Sequence, residues 1–308
     1  MTAMTETAPQ TPQTAAEAVP AATMHSGRLE TGGAELYYEI RGRGPALLMI
    51  SGAGGDAGYY TGVADLLADA FTVITYDRRG NSRSTGRVAR PMTITEQAAD
   101  AHTLISQVAG GQALVFGNSG GAIIGLALAA EHPESLSGLI AHEPPVVNVL
   151  PDAQHWQSLF SDIAAASAVE GVGVAGEKFV RLIRGEGSYP WPPGVMQRFA
   201  GNLEHLFTVE FPGFTDYVID EAALTAAPFP IVLGAGSADR GLYYARPSIV
   251  LAQRTGRPWA EFPGIHLEFM RHPDRFAAAL RALATQMITS VPRIPEQWQH
   301  DTHELRPL

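Results

Sequence analysis

Gln112-Ala113-Leu114-Val115-Phe116-Gly117-Asn118-Ser119-Gly120-Gly121 is the stretch whose reading decides the fold. Residues 113–116 are apolar, and with Gln112 the run is short enough for one buried strand. Residues 122–131 (AIIGLALAAE) follow as a packed helix that Pro133 stops. A serine at such a strand-to-helix corner is pushed into strained backbone geometry, which lifts its hydroxyl above the sheet. Its neighbours two positions away pass close to other backbone, so only very small side chains fit there. A Gly-x-Ser-x-Gly string alone is a weak signal in a glycine-rich chain. Between a strand and a helix it makes Ser119 a candidate nucleophile.

The same alternation extends on both sides. Strand-like runs occupy residues 34–41, 46–50, 71–75, 113–116, 136–141, 231–233 and 258–262, mostly short and apolar, as strands covered on both faces should be. Thr93-Ile94-Thr95-Glu96 is a capping box opening a helix that Gly110-Gly111 ends, and the last helix follows Pro273. Strands alternating with helices give an α/β protein with a mostly parallel central sheet flanked by helices. From 146 to 226 the rhythm breaks: there is no good strand, only helix-compatible pieces rich in aromatics. The chain thus divides into a leader without order (1–26), a core (27–145 and 227–290), an inserted helical cap (146–226) and a polar extension (291–308). The cap aromatics as a group imply an apolar cavity beneath it, for which Trp156, Trp191 and Phe160 are the candidate lining residues.

A serine hydroxyl is a poor nucleophile at neutral pH and needs a base, which in turn needs an orienting acid. His266, on a loop between the last strand and the final helix, is the candidate base. His272 reads as a helix cap and His142 as structural. Two acids compete. Asp239 follows the apolar strand FPIVLGAG, and Glu143, in His142-Glu143-Pro144-Pro145, ends the strand LSGLIA. Both strand ends lie on the edge where His266 should sit, so spacing alone leaves the choice open. Backbone N–H donors for an oxyanion would come from Gly120 and from Gly52 or Ala53 in Ser51-Gly52-Ala53-Gly54-Gly55. That loop has neither the Lys-Ser/Thr of a P-loop nor a GxGxxG spacing, so phosphate binding is not expected. Asp77-Arg78-Arg79-Gly80-Asn81-Ser82-Arg83-Ser84 reads as a charged turn that braces the loops near the site.

Bulk composition narrows the classes. The chain has 308 residues, 45% hydrophobic, with mean hydropathy near zero, enough for one large α/β domain with an insertion. A formal charge of −10 argues against nucleic acid or an anionic membrane as partner. No apolar stretch is long enough to span a bilayer. With no cysteine, thiolate nucleophiles and cysteine metal sites are excluded, and no histidine pair suits a metal, so neither metal nor cofactor is expected. The first two dozen residues lack the basic start and apolar middle of a secretory signal, and the expected compartment is the cytoplasm.

Taken together, the elbow GNSGGA, the turn YDRRGNSRS, the segment GAGSAD and the closing PGIH…HPDRFA resemble the α/β-hydrolase fold over roughly residues 28–290. The resemblance implies a cofactor-independent serine hydrolase cleaving a carboxylic ester or lactone through an acyl-enzyme on Ser119. The oxyanion loop departs from the common His-Gly start, having Ser51-Gly52. A narrower similarity is to zearalenone lactonases, in which the acid is a Glu in a Cys-His-Glu-x-Pro stretch; Ala141-His142-Glu143-Pro144-Pro145 is similar to it. That likeness implies that Glu143 orients His266, although Asp239 keeps the ordinary acid position. Carbon–carbon bond hydrolases, thioesterases and acyltransferases share the same Ser–His pair. A receptor-like member that only captures a ligand is the reading from another class. The expected partner is a small apolar ester or lactone, with a homodimer left open.

Overall fold

The computed structural model describes residues 23–183 and 190–289. Eight strands build one sheet: β1 (Met24–Thr31), β2 (Ala34–Arg41), β3 (Ala46–Ile50), β4 (Thr72–Tyr76), β5 (Ala113–Asn118), β6 (Leu136–His142), β7 (Ile231–Gly236) and β8 (Trp259–Phe262). Their order is β1-β2-β4-β3-β5-β6-β7-β8. β1 and β2 form an antiparallel hairpin, β2 runs antiparallel to β4, and every other neighbouring pair is parallel.

The parallel strands are apolar on both faces because both are covered. Successive residues of β3 alternate between two hydrophobic layers: Leu48 and Ile50 enter one, Leu47 and Met49 the other. The first layer holds α2 (Ile94–Val108), α3 (Gly120–Glu131) and α9 (Arg246–Thr255). The second holds α1 (Thr61–Leu67), the short α10 (Glu268–Arg271) and α11 (Pro273–Thr289). α3 carries no polar stripe, and ten of its twelve residues are buried. Gly125 explains how it lies so close to the sheet, since a Cβ there would sit 2.8 Å from Leu139. The capping box at α2 is formed, with Thr93 Oγ1 accepting from Glu96 N and Glu96 Oε2 from Thr93 N.

Between β6 and β7, residues 147–226 contain helices and no strand among the described residues: α4 (Ala153–Val169), α5 (Val172–Ile183), α6 (Val195–His205), a π-helical turn at Leu206–Glu210, α7 (Phe211–Asp216) and α8 (Glu221–Ala226). Phe160, Phe179, Phe207 and Phe211 of this cap continue the first hydrophobic layer.

The strand boundaries differ from the sequence expectation in two informative ways. Residues 24–26, assigned to the leader, are the first three of β1; most of the leader (1–22) and the extension 291–308 lie outside the described residues. β1 was missed because it is a polar edge strand whose sequence, MHSGRLET, buries only Leu29 and Thr31. In addition, β5, β6 and β7 run past their apolar stretches to Asn118, His142 and Gly236, held by the pairs Asn118↔His142 and His142↔Gly234. The polar residues at those carboxyl ends therefore belong to the sheet. No helix among the described residues is long and apolar enough to cross a membrane.

Candidate active site

The elbow is as tight as its sequence requires. Ser119 has φ 57° and ψ −124°, a region that non-glycine residues occupy only under constraint. A Cβ on Gly117 would lie 2.3 Å from Gly121 O, and one on Gly121 would lie 2.0 Å from Ile50 O. No larger residue fits either position without moving backbone. The Ser119 N–H donates to His142 O at 2.9 Å, and its carbonyl accepts from the Ala122 and Ile123 N–H groups. The side chain is partly exposed, where its neighbours in the sheet are buried.

Glu143 sits one residue beyond β6, also at positive φ (52°), with its N–H bound to Gly234 O. Its carboxylate is wholly enclosed. Oε1 accepts the Gly236 N–H at 2.7 Å, and Oε2 lies 2.5 Å from His266 Nδ1. Burial works against ionisation of this carboxyl, but the flanking His142 and His266 rings and the Gly236 amide outweigh it and hold it below the ordinary range.

Asp239 faces a different atom of the same histidine. Its Oδ2 accepts the His266 backbone N–H at 2.6 Å and the Tyr244 hydroxyl at 2.9 Å. Burial, followed by the Glu143 charge, raises its pKa. It shapes the loop that carries the imidazole, while Glu143 bonds the ring. His266 is further seated by Tyr244, whose ring centroid lies 4.2 Å away, and by Asn118 Nδ2, which donates to its carbonyl. With Nδ1 engaged, Nε2 is the remaining ring nitrogen. No hydrogen bond joins it to the Ser119 hydroxyl, although both residues line one cavity.

His142 is buried among Phe116, Phe262 and Phe276. Burial lowers its pKa to about 4, so the ring is neutral at pH 7. Its Nδ1 accepts from Asn118 Nδ2 at 2.9 Å, and its Nε2 has no partner among the described residues.

The Ser51–Gly55 loop packs directly on the elbow: a Cβ on Gly52 would lie 2.8 Å from Ser119 Cβ and 3.3 Å from Gly120 N. Among the described residues, neither the Ala53 nor the Gly120 N–H has an acceptor. Two apolar lobes open from here. One is lined by His266 together with Tyr59, Trp191, Phe199, Leu267 and Met270. The other is lined by Gly120 with Phe160, Phe179, Phe211, Phe214 and Tyr243. Ser119, Ala53 and Ile183 belong to both.

Of the three candidate pocket aromatics, Trp191 and Phe160 line the lobes. Trp156 does not: it stacks behind Tyr243 at 4.8 Å and donates its indole N–H to Asp152. Tyr59, Tyr243, Leu267 and Met270 were missed because they come from core loops and helices outside the cap, where no local signal marks them. Elsewhere, His102, His132 and Glu134 bring ligand-type atoms within 4.8 Å of one another. The two imidazoles stack at 4.2 Å and 16°, so their in-plane lone pairs run side by side rather than converging on one ion.

A family profile described as the alpha/beta hydrolase fold matches residues 45–188. The uncharacterized hydrolase YraK of Bacillus subtilis is 33% identical over 265 residues, covering 84% of this chain and 95% of the relative. The chain belongs to the α/β-hydrolase family. Among solved structures, a thermophilic esterase from Thermogutta terrifontis superposes on this hydrolase with a TM-score of 0.69 at 20% identity, over 86% of this chain and all of the other. An enol-lactonase from Burkholderia xenovorans LB400 gives 0.63 at 19%, over 84% of this chain and all of the other. At those identities the two structures speak to the shared fold.

Proposed function

We propose that this hydrolase cleaves an uncharged carboxylic ester or lactone, apolar on both sides of the scissile bond, through an acyl-enzyme on Ser119. The observation that carries the reading is the enclosed Glu143 carboxylate 2.5 Å from His266 Nδ1, beside a serine held in strained geometry on the same cavity. In this reading Glu143 fixes the ring tautomer and stabilises the imidazolium. Nε2 takes the Ser119 proton and passes it to the leaving alcohol, and the Ala53 and Gly120 N–H groups receive the oxyanion. Water activated by the same imidazole then releases the acid.

The two lobes assign the halves of the substrate. A leaving alcohol must collect its proton from His266, so it occupies the lobe that His266 lines. The acyl chain then lies in the lobe bounded by Phe160 and Phe211. Among the described residues no lysine or arginine lines either lobe, which supports an uncharged substrate. Ser119→Ala should abolish hydrolysis of p-nitrophenyl butyrate by several orders of magnitude and prevent labelling by a fluorophosphonate probe. Activity retained within tenfold in that variant would falsify the reading.

A further inference from the structure

The oxyanion loop is gripped by the cap. Arg78 lies beneath that loop with 1% of its side chain exposed, and it meets Glu210, from the π-helical turn of the cap, which is fully enclosed. Arg78 Nε donates to Ser51 O at 3.0 Å and Nη2 to Gly52 O at 2.8 Å. The same guanidinium bonds Gln97 and both oxygens of Glu210, Nη2 reaching Oε2 at 3.0 Å. Asn81 Nδ2 adds a bond to Glu210 Oε1 at 2.9 Å, and the Phe214 ring covers the guanidinium at 5.3 Å. A second handle comes from α6. Asn202 Nδ2 donates to Gly54 O at 2.8 Å and its Oδ1 accepts from Ser82 N at 2.9 Å. Phe199 leaves no room for a Cβ on Gly54.

Every loop carbonyl from Ser51 to Gly54, Ala53 excepted, is thus bound by Arg78 or by the cap itself. Across a trans peptide the carbonyl and the next N–H point in opposite directions. Pulling Gly52 O onto Arg78 therefore turns the Ala53 N–H away from the guanidinium. We infer that Glu210, acting through Arg78, and Asn202 are positioning residues that set the oxyanion-binding geometry from the cap. The inference rests on the serine-hydrolase reading above. A π-helical turn costs helical regularity and tends to persist where it places a needed side chain, and here it places Glu210.

Glu210→Gln is a sharp test, because neither amide orientation satisfies the site. With the amide nitrogen at the Oε1 position it confronts Asn81 Nδ2 and Arg78 Nη1, and at the Oε2 position it confronts Arg78 Nη2. Glu210→Gln and Asn202→Ala should each lower kcat on p-nitrophenyl butyrate by roughly 10- to 100-fold with KM within about threefold. The Ki of a trifluoromethyl ketone analogue of the substrate should rise by a similar factor, since that adduct places an oxyanion in the hole. Fluorophosphonate titration of active sites at saturating exposure corrects for any loss of folded protein. Asn202→Ala, which removes no charge, keeps the test available should Glu210→Gln fold poorly. If titratable sites turn over at the wild-type rate in either soluble variant, or if KM rises while kcat and Ki hold, the inference is overturned. If the wild-type protein is itself unlabelled by fluorophosphonate, the serine-hydrolase reading is what fails.

Discussion

Glu143 and Asp239 stand at adjacent strand ends, and their carboxylates address different atoms of one histidine. Glu143 meets the ring at Nδ1, whereas Asp239 meets the main-chain N–H. On the proposed mechanism these positions carry different penalties. Glu143→Gln keeps the volume and loses the charge that favours imidazolium, so kcat should fall by about 10²–10⁴. Asp239→Asn keeps an acceptor oxygen for the His266 and Tyr244 donors, and its kcat should stay within about tenfold of wild type. Steady-state kinetics of the two variants side by side check this; the reverse order would reassign the acid. The sequence brought both candidates to the correct edge but left them undecided, because spacing does not report which way a side chain turns at a positive-φ residue such as Glu143. Ser119 and its two glycines were legible for the opposite reason: their restriction is local and steric, and it is written in residue size.

At the level of elements, the strands of the parallel region were legible as apolar runs because both faces of the sheet are covered. β1 was not, since an edge strand half in water needs few apolar residues. The cap was legible as a gap in the strand rhythm, but its lining was not, because helical spacing puts Trp156 and Phe160 on one face of α4 without saying which of them reaches the cavity. Trp156, four residues before Phe160 on α4, ends behind Tyr243. The two lobes of the cavity are separately testable. Trp191→Ala should reduce discrimination for bulky apolar alcohols at constant acyl group. Phe160→Ala should reduce it for long or branched acyl groups at constant alcohol, each by about 10- to 100-fold in kcat/KM. Paired ester panels measure both, and equal effects of each variant on both panels would reject the assignment of the lobes.

At the level of the whole molecule, His142 ties the pH dependence of stability to the centre of the sheet. In the folded chain its pKa is lowered to about 4, while an unfolded histidine titrates near 6.5. Between those values the unfolded state binds more protons, so stability falls as pH drops through this window, with a slope of up to about 1.4 kcal/mol per unit. Urea midpoints from pH 7 to pH 4 should therefore decline less steeply in His142→Gln than in wild type. Identical slopes would show that the ring is not the acid-sensitive group.

The grip of Glu210 and Asn202 on the loop beside Ser119 bears on how such a scaffold can be altered. On the proposed mechanism the reacting side chains sit at or just past strand ends, whereas much of the chamber around them is supplied by an insertion, which invites grafting a foreign cap to obtain a new substrate range. Here a graft lacking the carboxylate at 210 would leave the Arg78 cation stranded under the loop. One lacking the amide at 202 would free the loop at Gly54. A transplanted cap should then bind its new ester and turn it over poorly, unless those two side chains travel with it.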